Sequence, residues 1–461
     1  MGIDEDLWRR RGGPQDVFLP ASVGWPYPVM VAGEGIWLID DKGRRYIDAS
    51  SGPVASNLGH GHAGVVSAIH KQVDKLVFAS SRVARTTENV SFADRLTAMA
   101  GPGFERAFLV SSGSEAIDAA IKFARVTAVK RGQTERTRLI SLMPSYHGAT
   151  LGSIAVSGDL NQASMFEGMV SLSEKLRAPL SYRRGDAPDA AERDEDAVFD
   201  ELDQIIARIG SGSLLAMVVE PVGGLATGAN VLSDRFLTGI SQRVRAVGGM
   251  VIHDEVMSGG GRCGTFLTCH RPNVPNPDIA VLAKGLGAGY APLAAMLVSK
   301  TLNDQVVAGG GFSFGHTYSA NPISCAVGMA VLNALQDDNL MANAEQRGEQ
   351  LRAGVARLAA RHACIGDIRG RGLLLAVELV SDRATKATFG SKVSAPSLVR
   401  ALGLEEGVTI YARSTNGGAF GEWFMLAPPL TITETEVEDL LERLDRTLDR
   451  FSTHLSQENP Q

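Results

Sequence analysis

Short apolar runs alternate with longer amphipathic stretches through the middle of the chain. The short runs predict buried strands, and the stretches between them have the apolar spacing of helices. Strand–helix alternation of this kind is typical of a mostly parallel sheet covered by helices on both faces. The predicted strands are Ala107–Val110, Arg138–Leu142, Leu214–Glu220, Met250–Asp254, Ile279–Ala283 and Leu293–Val298, and the predicted helices between them are Ser114–Lys130, Glu195–Ile209 and Asp234–Val247.

The two ends of the chain have different patterns. Near the N-terminus, alternating runs flank a turn at Asp41-Lys42-Gly43, which predicts a β-hairpin over Gly35–Asp48. After about residue 326 helices and strands are segregated, beginning with the helical regions Ala326–Leu335 and Leu340–His362. We therefore predict an N-terminal arm and hairpin (1–70) that belong to a small domain, a large domain (71–325) and a C-terminal α+β part of the small domain (326–461).

Composition and charge narrow the class of protein. A chain of 461 residues usually forms more than one core. Its net charge of −6 argues against nucleic acid as a partner, and no apolar run is long enough to predict a membrane span. The four cysteines form no CxxC pair and no zinc-ligand spacing, so we expect no metal site and a reducing, cytoplasmic setting.

Three places where predicted strands end carry polar residues that suggest chemistry. Ser111 to Ser114 join a strand directly to a helix, which offers backbone N–H groups and a helix dipole to an anion. Asp254 ends one strand and Lys284 follows another. Each has an ordinary alternative: a serine N-cap, an aspartate that caps a turn, and a lysine that reaches solvent.

Taken together, these three places match the needs of pyridoxal phosphate (PLP). That cofactor needs backbone amides for its phosphate, a carboxylate for its pyridine nitrogen and an amine for its aldehyde. By contrast, Gly259–Gly264 fits G-x-G-x-x-G and Gly311–Gly315 fits G-x-S-x-G, but neither has the strand and helix context that its motif requires. A nicotinamide dehydrogenase would rest on the first of these patterns alone.

Six stretches occur in order along nearly the whole chain: SSGSEAIDAAIKFAR, SYHGATLGS, VVEPVGG, VIHDEVMSGGGRCG, DIAVLAKGLGAGY and FGHTYSANP. In these stretches the sequence resembles the class III, ω-amino acid type, PLP-dependent aminotransferases. The resemblance implies fold type I, an α/β fold whose large domain holds a mostly parallel seven-stranded sheet beside a smaller α+β domain. It also implies a homodimer, which could assemble into a tetramer, with active sites at the subunit interface.

The resemblance implies roles around the cofactor ring. Lys284 would form the Schiff base and carry the proton from the substrate Cα to C4′ of the cofactor. Asp254 would pair with the pyridinium nitrogen, while Tyr146 and Val256 would pack on opposite faces of the ring. Glu220 is similar to the acidic residue near the cofactor hydroxyl.

The remaining cofactor contacts follow from the same resemblance. Gly113 and Ser114 would bind the phosphate, and His147, beside Tyr146, would belong to the cofactor site. Thr317 is similar to the residue that reaches the phosphate of the neighbouring subunit.

Three positions bear on the substrate. Members of the family that use 2-oxoglutarate often carry an acid after EP-x-x-G that pairs with a carboxylate-binding arginine; here Leu225 stands there, which favours pyruvate as acceptor. Arg413 is the candidate that binds a substrate carboxylate, with a solvated loop arginine as the alternative. Related ω-transaminases often place a tryptophan near Val54, so we expect a roomier substrate pocket there.

The sequence thus predicts an enzyme that transfers an amino group from an ω-amino acid or amine to a 2-oxo acid. Alternatives on the same scaffold are a 2-oxoglutarate-dependent aminotransferase and an aminomutase, racemase or decarboxylase. A regulatory module that has lost catalysis is a further alternative, against which the intact Lys284, Asp254 and Tyr146 argue.

Overall fold

The structure, a computed structural model, describes residues 27–159, 164–183, 185, 187 and 189–458, so the first 26 residues of the predicted N-terminal segment lie outside it. Its strands are β1 (Met30–Glu34), β2 (Trp37–Asp40), β3 (Arg45–Asp48), β4 (Arg106–Val110), β5 (Arg138–Met143), β6 (Glu174–Arg177), β7 (Leu214–Val219), β8 (Met250–Asp254), β9 (Ile279–Leu282), β10 (Ala294–Val298), β11 (Ile365–Arg371), β12 (Leu374–Leu379), β13 (Val408–Thr409), β14 (Tyr411–Ser414) and β15 (Glu422–Leu426).

Helices make up about half of the described chain outside the strands. They are α1 (Ala63–Lys75), α2 (Thr87–Ala100), α3 (Gly113–Lys130), α4 (Leu151–Val156), α5 (Ala190–Ile209), α6 (Asp234–Ala246), α7 (Lys300–Ala308), α8 (Pro322–Asp337), α9 (Leu340–Arg361), α10 (Ala395–Glu405) and α11 (Glu434–Glu458), with single helical turns at Ser51–Val54 and Gly390–Val393.

The central sheet has seven strands in the order β4-β10-β9-β8-β7-β5-β6. Strands β6, β5, β7, β8 and β9 pair in parallel, and β10 alone runs antiparallel to both of its neighbours. All six predicted strands belong to this sheet. The prediction of a large, mostly parallel α/β sheet is therefore confirmed.

Helix α3 shows how the sequence places a helix on this sheet. The Ser112 side chain accepts a hydrogen bond from the Glu115 N–H and caps the helix start. Its buried face carries small residues such as Ala116 and Ala120, which let the helix approach β9 and β10 closely. The start of α3 is thereby held next to the end of β4.

Two smaller sheets lie outside the central one. Strands β11, β12, β15 and β14 form an antiparallel sheet, and β1, β2 and β3 continue into β13. The predicted hairpin over Gly35–Asp48 is present as β2 and β3. Pairing of β3 with β13 joins the N-terminal hairpin to the C-terminal third of the chain. The domain boundaries at 70 and 325 stay predictions.

Among the helices that the structure describes, none is both long and apolar enough to cross a membrane.

Candidate active site

A cavity of about 700 Å³ opens at the carboxyl ends of the central parallel strands. Glu220 directly follows β7, Asp254 ends β8 and Lys284 lies just beyond β9, and all three line the cavity. Neighbouring parallel strands end at the same edge of a sheet, so residues distant in sequence meet there. The structure therefore brings together the lysine and the two acids that the sequence singled out.

Asp254 is buried and held by two contacts. Its Oδ2 atom forms a hydrogen bond of 2.8 Å with Nδ1 of the buried His147, and its Oδ1 atom accepts one of 3.0 Å from the Val256 N–H. The His147 N–H in turn donates to Ser157 Oγ at 2.9 Å. His147 therefore fixes the orientation of the Asp254 carboxylate.

Lys284 lies beside this carboxylate at the point where β9 ends. Its backbone has a φ of 46°, which turns the chain out of the strand. Burial lowers the pKa of its ammonium to about 8, and the negative charges of Asp254 and Glu220 act in the opposite direction. An amine with such a pKa is partly neutral at physiological pH and so can act as a nucleophile or base.

Glu220 connects two loops that line the cavity. Its Oε2 atom accepts a hydrogen bond from the Tyr146 N–H at 3.0 Å, and its Oε1 atom accepts one from the Gly224 N–H at 2.8 Å. Burial raises the pKa of this carboxyl, and the nearby His147 counteracts the shift. Glu220 thus positions the turn that carries the Tyr146 ring.

The opposite end of the cavity is formed by the start of α3. Within a helix the first N–H groups have no intrahelical acceptor, so those of Gly113 and Ser114 are available to an anion. A Cβ atom added at Gly113 would lie 3.1 Å from both methyl groups of Val256, so the glycine permits a close approach. Ser114 Oγ accepts a hydrogen bond from the Ala149 N–H at 3.0 Å.

Two predicted site residues do not line this cavity. The Val54 side chain is 1% exposed and packs in an apolar cluster with Val222 and Trp423, while its neighbours Pro53 and Ala55 line the cavity. Val54 is thus buried behind the wall of this cavity, and its influence on the size of the substrate pocket stays a prediction. Thr317 lies in an exposed turn, outside the cavity of its own chain.

Arg413, on β14, lines the cavity and forms an ion pair with Asp159. Sequence reasoning missed Asp159, which follows α4 and carries no motif signal. It also missed Tyr411, which lines the cavity. A signal for Tyr411 existed, because alternate residues of a strand share one face and Arg413 stands two positions later.

Comparison with known proteins decides the family. The model of the family described as aminotransferase class-III matches residues 21–448. The chain belongs to the class III aminotransferases. It is 35% identical over 439 residues to the uncharacterised aminotransferase YodT of Bacillus subtilis, which covers 94% of this chain and 97% of that protein.

Solved structures agree with this family. The PLP-bound crystal structure of an amine transaminase from an uncultivated Pseudomonas species matches with a TM-score of 0.86 and 30% identity, covering 94% of this chain and 98% of that one. The ω-transaminase from Pseudomonas jessenii in complex with PMP matches with a TM-score of 0.89 and 28% identity, covering 97% and 98%. The fold is thus that of PLP-dependent transaminases, fold type I.

This aminotransferase is an enzyme that uses pyridoxal 5′-phosphate, and the residues of its cavity fit that group. The N–H groups at the start of α3 suit a phosphate, because Gly113 and Ser114 line the cavity. The Asp254 carboxylate suits a protonated pyridine nitrogen, and the amine of Lys284 suits an aldehyde.

Proposed function

We propose that this aminotransferase moves an amino group from an ω-amino acid or an amine to a 2-oxo acid, with pyruvate as the preferred acceptor. The observation that carries the proposal is one cavity that holds Lys284 beside Asp254 and, on its wall, Arg413 beside apolar residues such as Leu225 and Met257. The amino group of the donor would lie near Lys284, and a carboxylate of the substrate would lie against Arg413. The names of the matched transaminase structures support this choice of donor.

The cofactor would be held by residues from four parts of the chain. The N–H groups of Gly113 and Ser114 would bind its phosphate, and Asp254, oriented by His147, would keep its ring nitrogen protonated. Tyr146 and Val256 line the cavity and would pack on the two ring faces, while Glu220 would lie near its hydroxyl. When bound, PLP supplies a pyridine ring that accepts electrons from the substrate Cα.

Lys284 would perform the two tasks that need an amine. In its neutral form it would bind the aldehyde carbon of the cofactor, and after release by the donor it would move the proton between the substrate Cα and the cofactor C4′. Burial, which lowers its pKa to about 8, makes the neutral form accessible near physiological pH. Proton transfer by Lys284 would be the central step of the proposed reaction.

The acceptor preference rests on Leu225. The apolar Leu225 side chain in the cavity wall cannot pair with an arginine. The acid that pairs with the carboxylate-binding arginine in family members that use 2-oxoglutarate is therefore missing at this position. Pyruvate needs only one carboxylate contact, which Arg413 can supply. The alternative acceptor is 2-oxoglutarate, and the alternative reactions are those of an aminomutase, racemase or decarboxylase.

The proposal includes a homodimer in a cytoplasmic setting, which could assemble further into a tetramer. The exposed turn that carries Thr317 would reach the phosphate of the partner's cofactor, and its position outside its own cavity supports this role. All four cysteines are buried and free, as suits a reducing compartment.

A donor screen tests the function. PLP-loaded protein is given 4-aminobutyrate or 1-phenylethylamine as donor, with pyruvate or, separately, 2-oxoglutarate as acceptor. We expect one alanine for each donor consumed with pyruvate, and slower turnover with 2-oxoglutarate. Equal or faster turnover with 2-oxoglutarate would overturn the acceptor preference, and donor consumption without a new amino acid would indicate one of the alternative reactions.

A further inference from the structure

An ion pair forms part of the cavity wall. The Arg413 guanidinium, on β14, pairs with the Asp159 carboxylate, which lies 254 residues earlier in the sequence and follows α4. The Asp159 side chain is 3% exposed and that of Arg413 is 25% exposed. The carboxylate is thus the inner partner, while the guanidinium keeps a surface that a ligand in the cavity can reach.

The pair lies close to the turn that carries Tyr146. Burial raises the pKa of the Tyr146 phenol, and the charges of Arg413 and Asp159 then act on it in opposite directions. Arg413 also acts on the phenol of Tyr411, which lines the same cavity. Both charges of the pair therefore contribute to the electrostatic potential at the place where a substrate would bind.

A partly buried guanidinium is stable only while it has an anionic or hydrogen-bonding partner. A substrate carboxylate that enters the cavity would compete with Asp159 for Arg413, because both carboxylates draw on the same positive charge. An amine without a carboxylate leaves the existing pair in place. The strength of the Asp159 contact therefore sets the balance between the two kinds of substrate.

We infer that Asp159 is the specificity-determining counter-ion of Arg413, a role that rests on the proposed function. Asp159 neutralises Arg413 when the substrate has no carboxylate and yields the guanidinium when the substrate carries one. Leu225 stands at the family position of an acidic partner, so the acid that pairs with Arg413 comes from a different element of the fold and is not a replacement at that position. The cavity can thereby bind both amines that lack a carboxylate and ω-amino acids that carry one.

The variant Asp159→Asn tests the inference with two donors of the same length, 4-aminobutyrate and butylamine. Loss of the competing charge should favour the donor with the carboxylate, so the ratio of kcat/KM for 4-aminobutyrate to that for butylamine should rise about tenfold. Asp159→Glu should keep the wild-type ratio. An unchanged ratio in Asp159→Asn would overturn the inference.

Two controls separate this role from a structural one. Asp196→Asn removes a carboxylate that pairs with Arg235 at an exposed site outside the cavity, and should leave the ratio unchanged. In an Arg413→Met background, Asp159→Asn should change the ratio much less than it does in the wild type, since no guanidinium is left for the two carboxylates to share. A full effect in that background would contradict the inference.

Binding of butyrate gives a readout that does not need turnover. The dissociation constant of butyrate, measured by calorimetry on PLP-loaded protein, should fall about tenfold in Asp159→Asn and stay unchanged in Asp196→Asn. If neither donor is turned over, the proposed function fails while this measurement still tests the pair. If turnover is normal and butyrate binding is unchanged in Asp159→Asn, the inference alone fails.

Discussion

His147 affects the cofactor site through the carboxylate that it touches. Its ring nitrogen lies 2.8 Å from Asp254 Oδ2 in a buried setting, and Asp254 is the proposed partner of the pyridine nitrogen. Residues that orient a ligand-binding group in this way commonly matter almost as much as the group itself. We therefore propose that His147 is a positioning residue, a role suggested by its contact with Asp254 and not by the sequence motif.

Replacing His147 by Phe should weaken cofactor binding by about tenfold to a hundredfold, because Asp254 loses the contact that orients it. The dissociation constant of PLP, followed by absorbance after dialysis, measures this effect. His270→Asn is the control, since His270 forms a hydrogen bond with the Ala100 carbonyl at a place outside the cavity. Equal losses in both variants would mean that His147 has only a structural role.

The pKa of Lys284 predicts how cofactor capture depends on pH. Only the neutral amine attacks an aldehyde, and burial lowers the pKa of this lysine to about 8. The rate at which apo-protein captures PLP should therefore rise with pH and level off above about 8, rather than near the usual lysine value. Stopped-flow absorbance across pH 6 to about 10 covers the ordinary range of lysine titration.

The variant Glu220→Gln checks the electrostatic part of this account. The Glu220 carboxylate raises the pKa of Lys284, so its removal should move the midpoint of PLP capture to lower pH. Glutamine keeps one oxygen, which can accept a hydrogen bond from the Tyr146 or the Gly224 N–H, while the other N–H loses its acceptor. A midpoint that moves upward would contradict the assigned sign.

At the scale of elements, the position of the start of α3 determines how well the cavity binds an anion. The helix begins next to the end of β4, and Gly113 lets it approach Val256 with no intervening side chain. Helix N-termini bind phosphate through exposed N–H groups, and the binding depends on where the first turn lies. A shift of a few tenths of an ångström at this turn should therefore weaken the binding of a phosphate.

The variant Gly113→Ala should weaken PLP binding about tenfold, since its Cβ would lie 3.1 Å from both Val256 methyls and displace the helix start. Binding of pyridoxal, which has no phosphate, should change much less. Gly212→Ala is the control, because a Cβ at Gly212 would meet no atom within 4 Å. Equal weakening of PLP and pyridoxal would contradict a phosphate role for this turn.

Elements with strong periodicity were predictable, and those without it were not. The predicted strand Met250–Asp254 matches β8 to the residue. Strand β6 escaped prediction because three of its four residues are charged and only Leu176 is apolar and buried. Helix α8 begins earlier than predicted because Asn321 caps it and Pro322 occupies its first turn.

At the scale of the whole molecule, Arg262 joins separate parts of the chain. Its buried guanidinium donates to the carbonyls of Leu373 and Pro428 near the antiparallel sheet, and to Ser51 Oγ and Asn57 Oδ1. The last two residues flank the segment whose Pro53 and Ala55 line the cavity. Arg262 thus holds one wall of the site against the C-terminal part of the fold.

Replacing Arg262 by Met should cost about 3 kcal/mol of unfolding free energy or more, because several buried acceptors lose their donor. Urea denaturation measures the loss. Arg235→Met, which removes a partly exposed arginine from its ion pairs, should cost about 1 kcal/mol or less. Comparable costs for the two variants would contradict the role assigned to Arg262.

The sequence predicts which strand ends meet at the cavity better than it predicts contacts between distant loops. Asp254 and Lys284 were predictable as neighbours because the ends of parallel strands meet at one edge, whereas Glu220 was implied by the family resemblance. The contact of Asp159 with Arg413 spans 254 residues and depends on tertiary structure alone. Whether the Val54 side chain faces the cavity is not readable from the sequence, and the role proposed for Thr317 would need a second subunit.

The most direct test of the account asks which amine holds the cofactor. Borohydride reduction in the presence of PLP fixes the cofactor to that amine, and peptide mapping by mass spectrometry identifies it. Lys175 provides an internal control, because burial also lowers its pKa to about 8 although it lies outside the cavity. We predict that the pyridoxyl mass appears on the peptide containing Lys284 and disappears in Lys284→Ala; labelling of Lys175, or of no lysine, would contradict the assignment.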